Sequence, residues 1–352
     1  MGAAGREGEK KSRVSRLTSA ILGLFAAPRI NMREDYEKVR RAQRALSFAR
    51  PDPERTFDRT VPSAEGHEVP VRVFLPKEAT RSGVLLFFHG GGWTIGDVES
   101  YTSACRTMAD LTGQVVVSVD YRLAPEHPYP AGLHDCLTVT EALLEGPSLA
   151  DIDGPADVTL IGDSAGGNLA AAVSLALRER GRTLPGAQIL LYPVTQWDHD
   201  PETSPFPSVR EYGTGLRLTS IEVQDYIEMY QPDAAARTTP LISPLVADDL
   251  SGLPRTLVVT AELDLLRDEG EAFALALRAA GTPARIERID GALHGFITLP
   301  RFARPLTAAY ELVTSFLDGE MSESRVLEIP AVEPPSPPAA PGDAGAPERR
   351  TP

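Results

Sequence analysis

A chain of 352 residues, 42 % hydrophobic and 24 % charged, can bury one large α/β core plus an accessory element, and its composition is neither fibrous nor that of a disordered chain. The formal charge of −14 speaks against nucleic acid as a partner, because phosphate binding needs a basic face. Two cysteines, Cys105 and Cys136, are too few for a disulfide framework and read as small buried side chains in a reducing compartment, the cytoplasm.

Residues 1–13 are polar and are expected to be disordered. A helical pattern at 14–26 follows, with Val14, Leu17, Ile21, Leu24 and Phe25 on one face. The basic residues Lys10, Lys11, Arg13 and Arg16 ahead of the apolar run Ala20–Ala27 resemble a signal peptide, but the apolar run is short and the charged region long. No run approaches the ~20 apolar residues of a membrane span, so no stable membrane insertion is expected. A second helix is expected at 33–48, with Tyr36, Val39, Ala42 and Leu46 inward, ended by Pro51 and Pro53. These helices precede any strand and read as an appendage, residues 1–50, to a domain spanning 51–320.

From Thr56 onward strands alternate with helices. Strands are expected at 54–61, 70–75, 83–88, 114–119, 157–162, 187–192, 255–260 and 283–288, and helices near 98–111, 131–145, 165–180, 268–280 and 302–318. Continuously apolar strands separated by helices imply an eight-stranded, mostly parallel sheet covered on both faces, with the first two strands as an antiparallel edge.

The third strand leads into His89-Gly90-Gly91-Gly92-Trp93. Three successive glycines weaken any regular element, so they mark a place where the main chain itself approaches something closely. The N–H groups of Gly91 and Gly92 can point into a cavity there. His89 is tied to the glycine turn and reads as a structural support, holding Gly90 and the loop through a ring hydrogen bond.

The fifth strand runs into Gly162-Asp163-Ser164-Ala165-Gly166-Gly167 and leaves as an alanine-rich helix. A strand, a Gly-x-Ser-x-Gly turn and a helix form the setting in which the serine becomes a nucleophile. Lifting Ser164 Oγ clear of the backbone demands a strained turn, and Gly162 and Gly166 leave room for it. The Ala165 N–H lies at the positive end of the following helix and can join those of Gly91 and Gly92 as an oxyanion hole. A glycine-rich strand-to-helix connection without chemistry is the competing reading of the pentapeptide alone.

After the sixth strand the rhythm breaks between Pro193 and Pro254, with a helical pattern at 219–231. An excursion of this length at the carboxyl end of a parallel strand reads as a lid, about 195–240, closing the ligand crevice together with the N-terminal helices. Trp93, Tyr192 and Trp197 are candidates for the pocket wall, and equally for the core.

The remaining partners come from the last two strands. Asp264 stands in the turn after the seventh, with Glu262 as a weaker competitor, and Asp268 and Glu269 read as charges capping the next helix, Asp268 at its N-cap. Of six histidines, His67 and His134 fall in a polar turn and on a helix, His127 lies between prolines and His199 in the lid. His294 follows the eighth strand in a loop at the carboxyl end of the sheet, where a base is needed. The order Ser164, Asp264, His294 is the α/β-hydrolase order. Residues 321–352 form a tail, with eight prolines between Ile329 and Pro352, that cannot bury a core.

These motifs, with Asp120–Ala131, Ser243-Pro244-Leu245 and Asp264–Gly270, resemble the hormone-sensitive lipase family of carboxylesterases, its bacterial branch in particular, over roughly residues 55–318. The resemblance implies Ser164 as nucleophile, His294 as base, Asp264 as the acid orienting it, and the Gly91, Gly92 and Ala165 amides as oxyanion donors. It also implies a helical cap, short- to medium-chain acyl ester substrates, no cofactor or metal, and a homodimer as a frequent assembly. Leu265 departs from the family, which commonly has proline after the acid. An amidase or deacetylase of a small acylated metabolite is the alternative within the same chemistry. A ligand-binding receptor on this scaffold is the alternative outside it, although the receptors that resemble the family lack the histidine that this chain keeps.

Overall fold

The computed structural model describes residues 31–46, 52–146, 157–323 and 327. The helix expected at 14–26, the stretch 1–13 and the tail beyond 323, Leu327 apart, lie outside the described residues.

All eight expected strands are present: β1 Thr56–Pro62, β2 Glu68–Phe74, β3 Val84–Phe88, β4 Val115–Val119, β5 Val158–Asp163, β6 Ala187–Leu191, β7 Arg255–Leu263 and β8 Ala284–Leu293. They form one sheet in the order β1-β2-β4-β3-β5-β6-β7-β8. The β1–β2 and β2–β4 pairs are antiparallel and every other pair is parallel, so the antiparallel edge sits where the sequence placed it.

The helices are α1 Met32–Leu46, α2 Thr102–Thr112, α3 Ala131–Glu145, α4 Ala165–Glu179, α5 Pro207–Tyr212, α6 Ser220–Tyr230, α7 Arg267–Ala279 and α8 Arg304–Leu317. Strand alternation divides the core between the two faces of the sheet. Val84, Leu86 and Phe88 pack with residues of α3, α4 and α7, whereas Leu85 and Phe87 pack with residues of α2 and α8. Every residue of α4 from Ala165 to Leu177 is buried, and small side chains make that feasible by letting the helix approach the strands closely. Both cysteines are free and buried in helices, and burial pushes the Cys105 thiol up to about 12.

α1 runs from Met32 through Tyr36, Val39 and Gln43 on its inner side; Ala42, expected inward, is exposed. Much of its anchorage is polar. Arg33 pairs with Asp225 at 2.6 Å and with Glu228 on α6. Arg40 donates to the carbonyls of Thr94 and Ala124 and pairs with Glu126. Arg44 pairs with Asp97. These arginines tie α1 both to α6 and to the segment after the glycine loop, and an amphipathic count of apolar residues does not see them. Among the described residues no helix is long and apolar enough to cross a membrane.

Candidate active site

The strand order sets the site. β3 and β5 are neighbours whose connections leave in opposite directions, toward β4 and toward β6, which creates a crevice beyond their carboxyl ends. In register, Phe88 pairs with Gly162, so His89–Gly92 lies directly against Asp163 and Ser164. Ser164 stands between β5 and α4 at φ 55°, ψ −120°, a left-handed conformation costly for a residue with a side chain and held by the elements on either side. A Cβ on Gly166 would lie 1.9 Å from the carbonyl oxygen of Phe88, so only glycine lets the two chains meet.

On the other flank β7 and β8 deliver the remaining groups. Thr260 pairs with Arg288 and Ala261 with Ile289, but Leu263 pairs with Leu293: three residues of β8 bulge opposite Glu262 alone. The bulge is held by Glu262, which accepts a hydrogen bond from the Gly291 N–H at 2.6 Å. Its effect is to bring the residues after Leu263 and Leu293, Asp264 and His294, side by side. The eighth strand thus runs five residues past its expected end at 288.

Ser164, His294 and Asp264 form a continuous hydrogen-bonded chain. His294 Nδ1 lies 2.7 Å from Asp264 Oδ2, and His294 Nε2 lies 2.9 Å from Ser164 Oγ. A carboxylate only accepts, so Nδ1–H donates to Asp264 and Nε2 is left to accept from the serine hydroxyl. The Asp264 side chain is wholly buried and its second oxygen accepts from the Leu266 N–H, which fixes its rotamer. Tyr192 packs edge-on against the His294 ring at 4.8 Å.

Gly91 and Gly92 both adopt positive φ, and among the described residues their N–H groups have no hydrogen-bond partner. His89 is fully buried, its Nδ1–H donates to the Gly90 carbonyl at 2.8 Å, and its ring stacks on Tyr121, whose hydroxyl donates to the His89 carbonyl. Burial pushes the ring's pKa down, which suits a neutral support for the loop. Asp163 ties the two loops together: Oδ1 accepts from the Gly90 N–H at 2.7 Å, and Oδ2 from the hydroxyls of Tyr101 and Tyr192. Burial raises the Asp163 carboxyl to about 6, against the lowering effects of the Gly90 amide, the nearby His294 imidazole and the two hydroxyls.

A cavity of about 200 Å³ opens above Ser164. Its wall includes Trp93 from the glycine loop, Gln43 from α1, and Val194, Arg217, Leu218, Val223 and Tyr226 from the excursion after β6. Of the expected wall aromatics, Trp93 lines it. Tyr192 stands behind His294, and Trp197 lies elsewhere in the excursion.

Two sequence expectations need correction. Leu266, not Asp268, is at the N-cap of α7. Asp268 and Glu269 are both buried and do more than cap a helix. Asp268 accepts from the Ser208 N–H at 2.8 Å, and Glu269 accepts from the Thr195 N–H at 2.7 Å while its other oxygen pairs with His199 at 2.7 Å. They fasten the first part of the excursion, residues 195–208, to α7. Sequence reasoning also passed over Tyr101, Arg217 and Tyr226, for which pattern offers no signal.

A family model described as alpha/beta hydrolase fold (Abhydrolase_3) matches residues 85–298. The chain is 38 % identical over 244 residues to an arylesterase of Saccharolobus solfataricus, covering 69 % of this chain and 78 % of that protein. It is 36 % identical over 284 residues to the carboxylic ester hydrolase LipN of Mycobacterium tuberculosis, covering 78 % and 74 %. This chain belongs to the α/β-hydrolase family of carboxylesterases. The solved structure of the Pyrobaculum calidifontis esterase superposes on this enzyme with a TM-score of 0.77 at 33 % identity, covering 86 % of this chain and 99 % of that one. The carboxylesterase reading of the motifs is borne out, and with it the enzyme class: a hydrolase of carboxylic esters.

Proposed function

We propose that the enzyme is a serine carboxylesterase of short- to medium-chain acyl esters, with Ser164 as nucleophile, His294 as general base and acid, and Asp264 as the group that orients the imidazole. The observation that carries the reading is the chain of two hydrogen bonds, 2.9 Å and 2.7 Å, from Ser164 through His294 to Asp264, opening into a cavity.

His294 Nε2 takes the hydroxyl proton as Ser164 Oγ attacks the ester carbonyl, and Asp264 stabilises the imidazolium that results. The carbonyl oxygen becomes an oxyanion and is received by the N–H groups of Gly91, Gly92 and Ala165. Their fixed positions cost no reorganisation at the moment of reaction. The C–O bond to the alcohol then breaks, and the alcohol leaves with the proton from Nε2. Water, deprotonated by His294 in turn, attacks the acyl-enzyme and releases the acid and the free serine. Asp163, His89 and Gly90 take no part in bond making; they hold the oxyanion loop against the nucleophile.

The short acyl preference rests on size: a cavity of about 200 Å³ is smaller than the roughly 300–1,000 Å³ of most ligand sites. α1 and the excursion after β6 form the cap over it, since both contribute to its wall. Both cysteines are buried thiols, and we place the enzyme in the reducing cytoplasm. The test is hydrolysis of p-nitrophenyl esters from acetate to palmitate, with Ser164→Ala alongside. Activity peaking at short or medium acyl chains and abolished in the folded variant is expected. Undiminished turnover by Ser164→Ala overturns the assignment of the nucleophile, and a maximum at palmitate overturns the chain-length reading.

A further inference from the structure

Arg217 lies in the cap between α5 and α6 and contributes to the wall of the cavity that holds Ser164 and His294. Its guanidinium lies over Gly295, the residue that follows His294. A Cβ at Gly295 would meet Arg217 Cζ at 3.1 Å, and Gly295, at φ +76°, leaves that space open. Arg217 Nη2 donates to Thr298 Oγ1 at 3.1 Å, which fixes the orientation of the group, and this is a neutral partner. Its charge reaches the hydroxyls of Tyr101 and Tyr192 behind the site, opposing the upward push of burial on both.

Among the described residues no carboxylate forms an ion pair with Arg217, and the acids of the cap, the bulge and the Ser164 turn have partners of their own. Glu222 accepts from the N–H and hydroxyl of Thr219 as the capping box of α6. Glu211 pairs with Arg267, Glu262 holds Gly291, and Asp163 is buried beneath Gly90 and the two tyrosines. The other wall residues from the excursion after β6, Val194, Leu218, Val223 and Tyr226, are apolar or aromatic, and α1 adds the neutral amide of Gln43. Asp163 lines the cavity too, but its oxygens are taken up by the Gly90 N–H and the two tyrosine hydroxyls, so Arg217 stands at the rim as an exposed cation with donors to spare and, among the described residues, no carboxylate paired to it.

Resting on the serine esterase reading above, we propose that Arg217 selects substrates, and that the enzyme prefers carboxylic esters that carry a second, anionic group, a carboxylate a few bonds from the scissile ester. A planar guanidinium offers paired donors that fit a carboxylate. At the rim the carboxylate stays hydrated, while the ester carbonyl reaches Ser164 inside the cavity.

The test compares matched pairs differing only in that charge: mono-p-nitrophenyl glutarate against its methyl ester, for a carboxylate on the acyl side, and 4-butyryloxybenzoate against its methyl ester, for one on the alcohol side. The readout is the ratio of kcat/KM, anionic over neutral. Wild-type enzyme is expected to favour the anionic member of at least one pair, with the ratio falling as salt is added. In Arg217→Gln the ratio should drop about two- to fivefold, the range expected for an ion pair that stays hydrated at an exposed rim, chiefly through KM. Arg217→Glu should invert the preference. A wild-type ratio at or below one for both pairs, or a ratio unchanged in Arg217→Gln, overturns the proposal and leaves Arg217 as a latch between cap and Thr298. Failure to hydrolyse the neutral esters as well overturns the esterase reading itself, so the two failures are told apart.

Discussion

Substituting Gly92 by alanine tests the proposed link between the cap and the oxyanion loop. Gly92 sits at φ +59°, and an added Cβ would lie 2.2 Å from Tyr226 Cγ and 2.5 Å from Cδ1 and Cδ2. Carbon atoms are comfortable at about 3.5–4.0 Å, so the contact must open by about 1.3 Å. Tyr226 is buried on α6, leaving little room for its ring to swing away, so the glycine loop yields. The backbone strain of a left-handed alanine adds about 1–2 kcal/mol. Moving the Gly92 amide off its target removes one oxyanion donor, which costs roughly 10²–10³ in kcat. The assay is steady-state hydrolysis of p-nitrophenyl butyrate by Gly92→Ala, with thermal melting to establish that the variant is folded. The double variant Gly92→Ala/Tyr226→Ala removes the ring and is expected to return kcat to that of Tyr226→Ala alone. A folded Gly92→Ala with kcat within threefold of wild type would refute the donor role, and a double variant as slow as the single one would refute the steric cause.

Further outcomes follow from the same geometry. Asp264→Asn keeps the shape but presents an amide that can donate to His294 Nδ1 and so favours the wrong tautomer; kcat should fall about 10⁴-fold, and a fall of less than tenfold would count against Asp264 as the orienting acid. Asp163, raised to about 6 in the fold against about 3.9 in an unfolded chain, binds its proton more tightly when folded. Its stabilising contribution is present below about pH 4 and lost as pH rises through 6, about 3 kcal/mol in all. Urea unfolding at pH 4.5 and 7.5 should show a smaller loss of stability in Asp163→Asn than in wild type, and parallel losses would contradict the buried-carboxylate account. Glu269→Gln leaves an amide facing His199 inside the protein, where both side chains are fully buried. Unfolding free energy should drop by about 1–3 kcal/mol, and an unchanged value would mean that this pair does not anchor the cap.

Much of the sheet was legible because its strands are continuous β-branched and aromatic runs bounded by turns. Such runs cannot stay in water, whatever they pack against. The same holds for Ser164 and the glycine loop, since a positive-φ turn between strand and helix leaves its mark in glycines close along the chain. His294 and Asp264 were found through their order and their places after successive strands. The arginine contacts of α1 and the anchoring of the cap by Asp268 and Glu269 escaped, because ion pairs between residues far apart in sequence leave no periodicity.

The sequence by itself determined the alternation of elements, the Gly-x-Ser-x-Gly turn and the family of the chain, all carried by short-range patterns of size, polarity and backbone freedom. Only the tertiary structure decided that three residues of β8 bulge opposite Glu262 and bring Asp264 to 2.7 Å from His294. It alone placed Tyr226 over Gly92, buried His199 against Glu269, and set Arg217 beside Gly295, where among the described residues no carboxylate pairs with it. Each of these depends on where separate elements dock, and docking is fixed by the packing of the whole core rather than by any stretch of the chain.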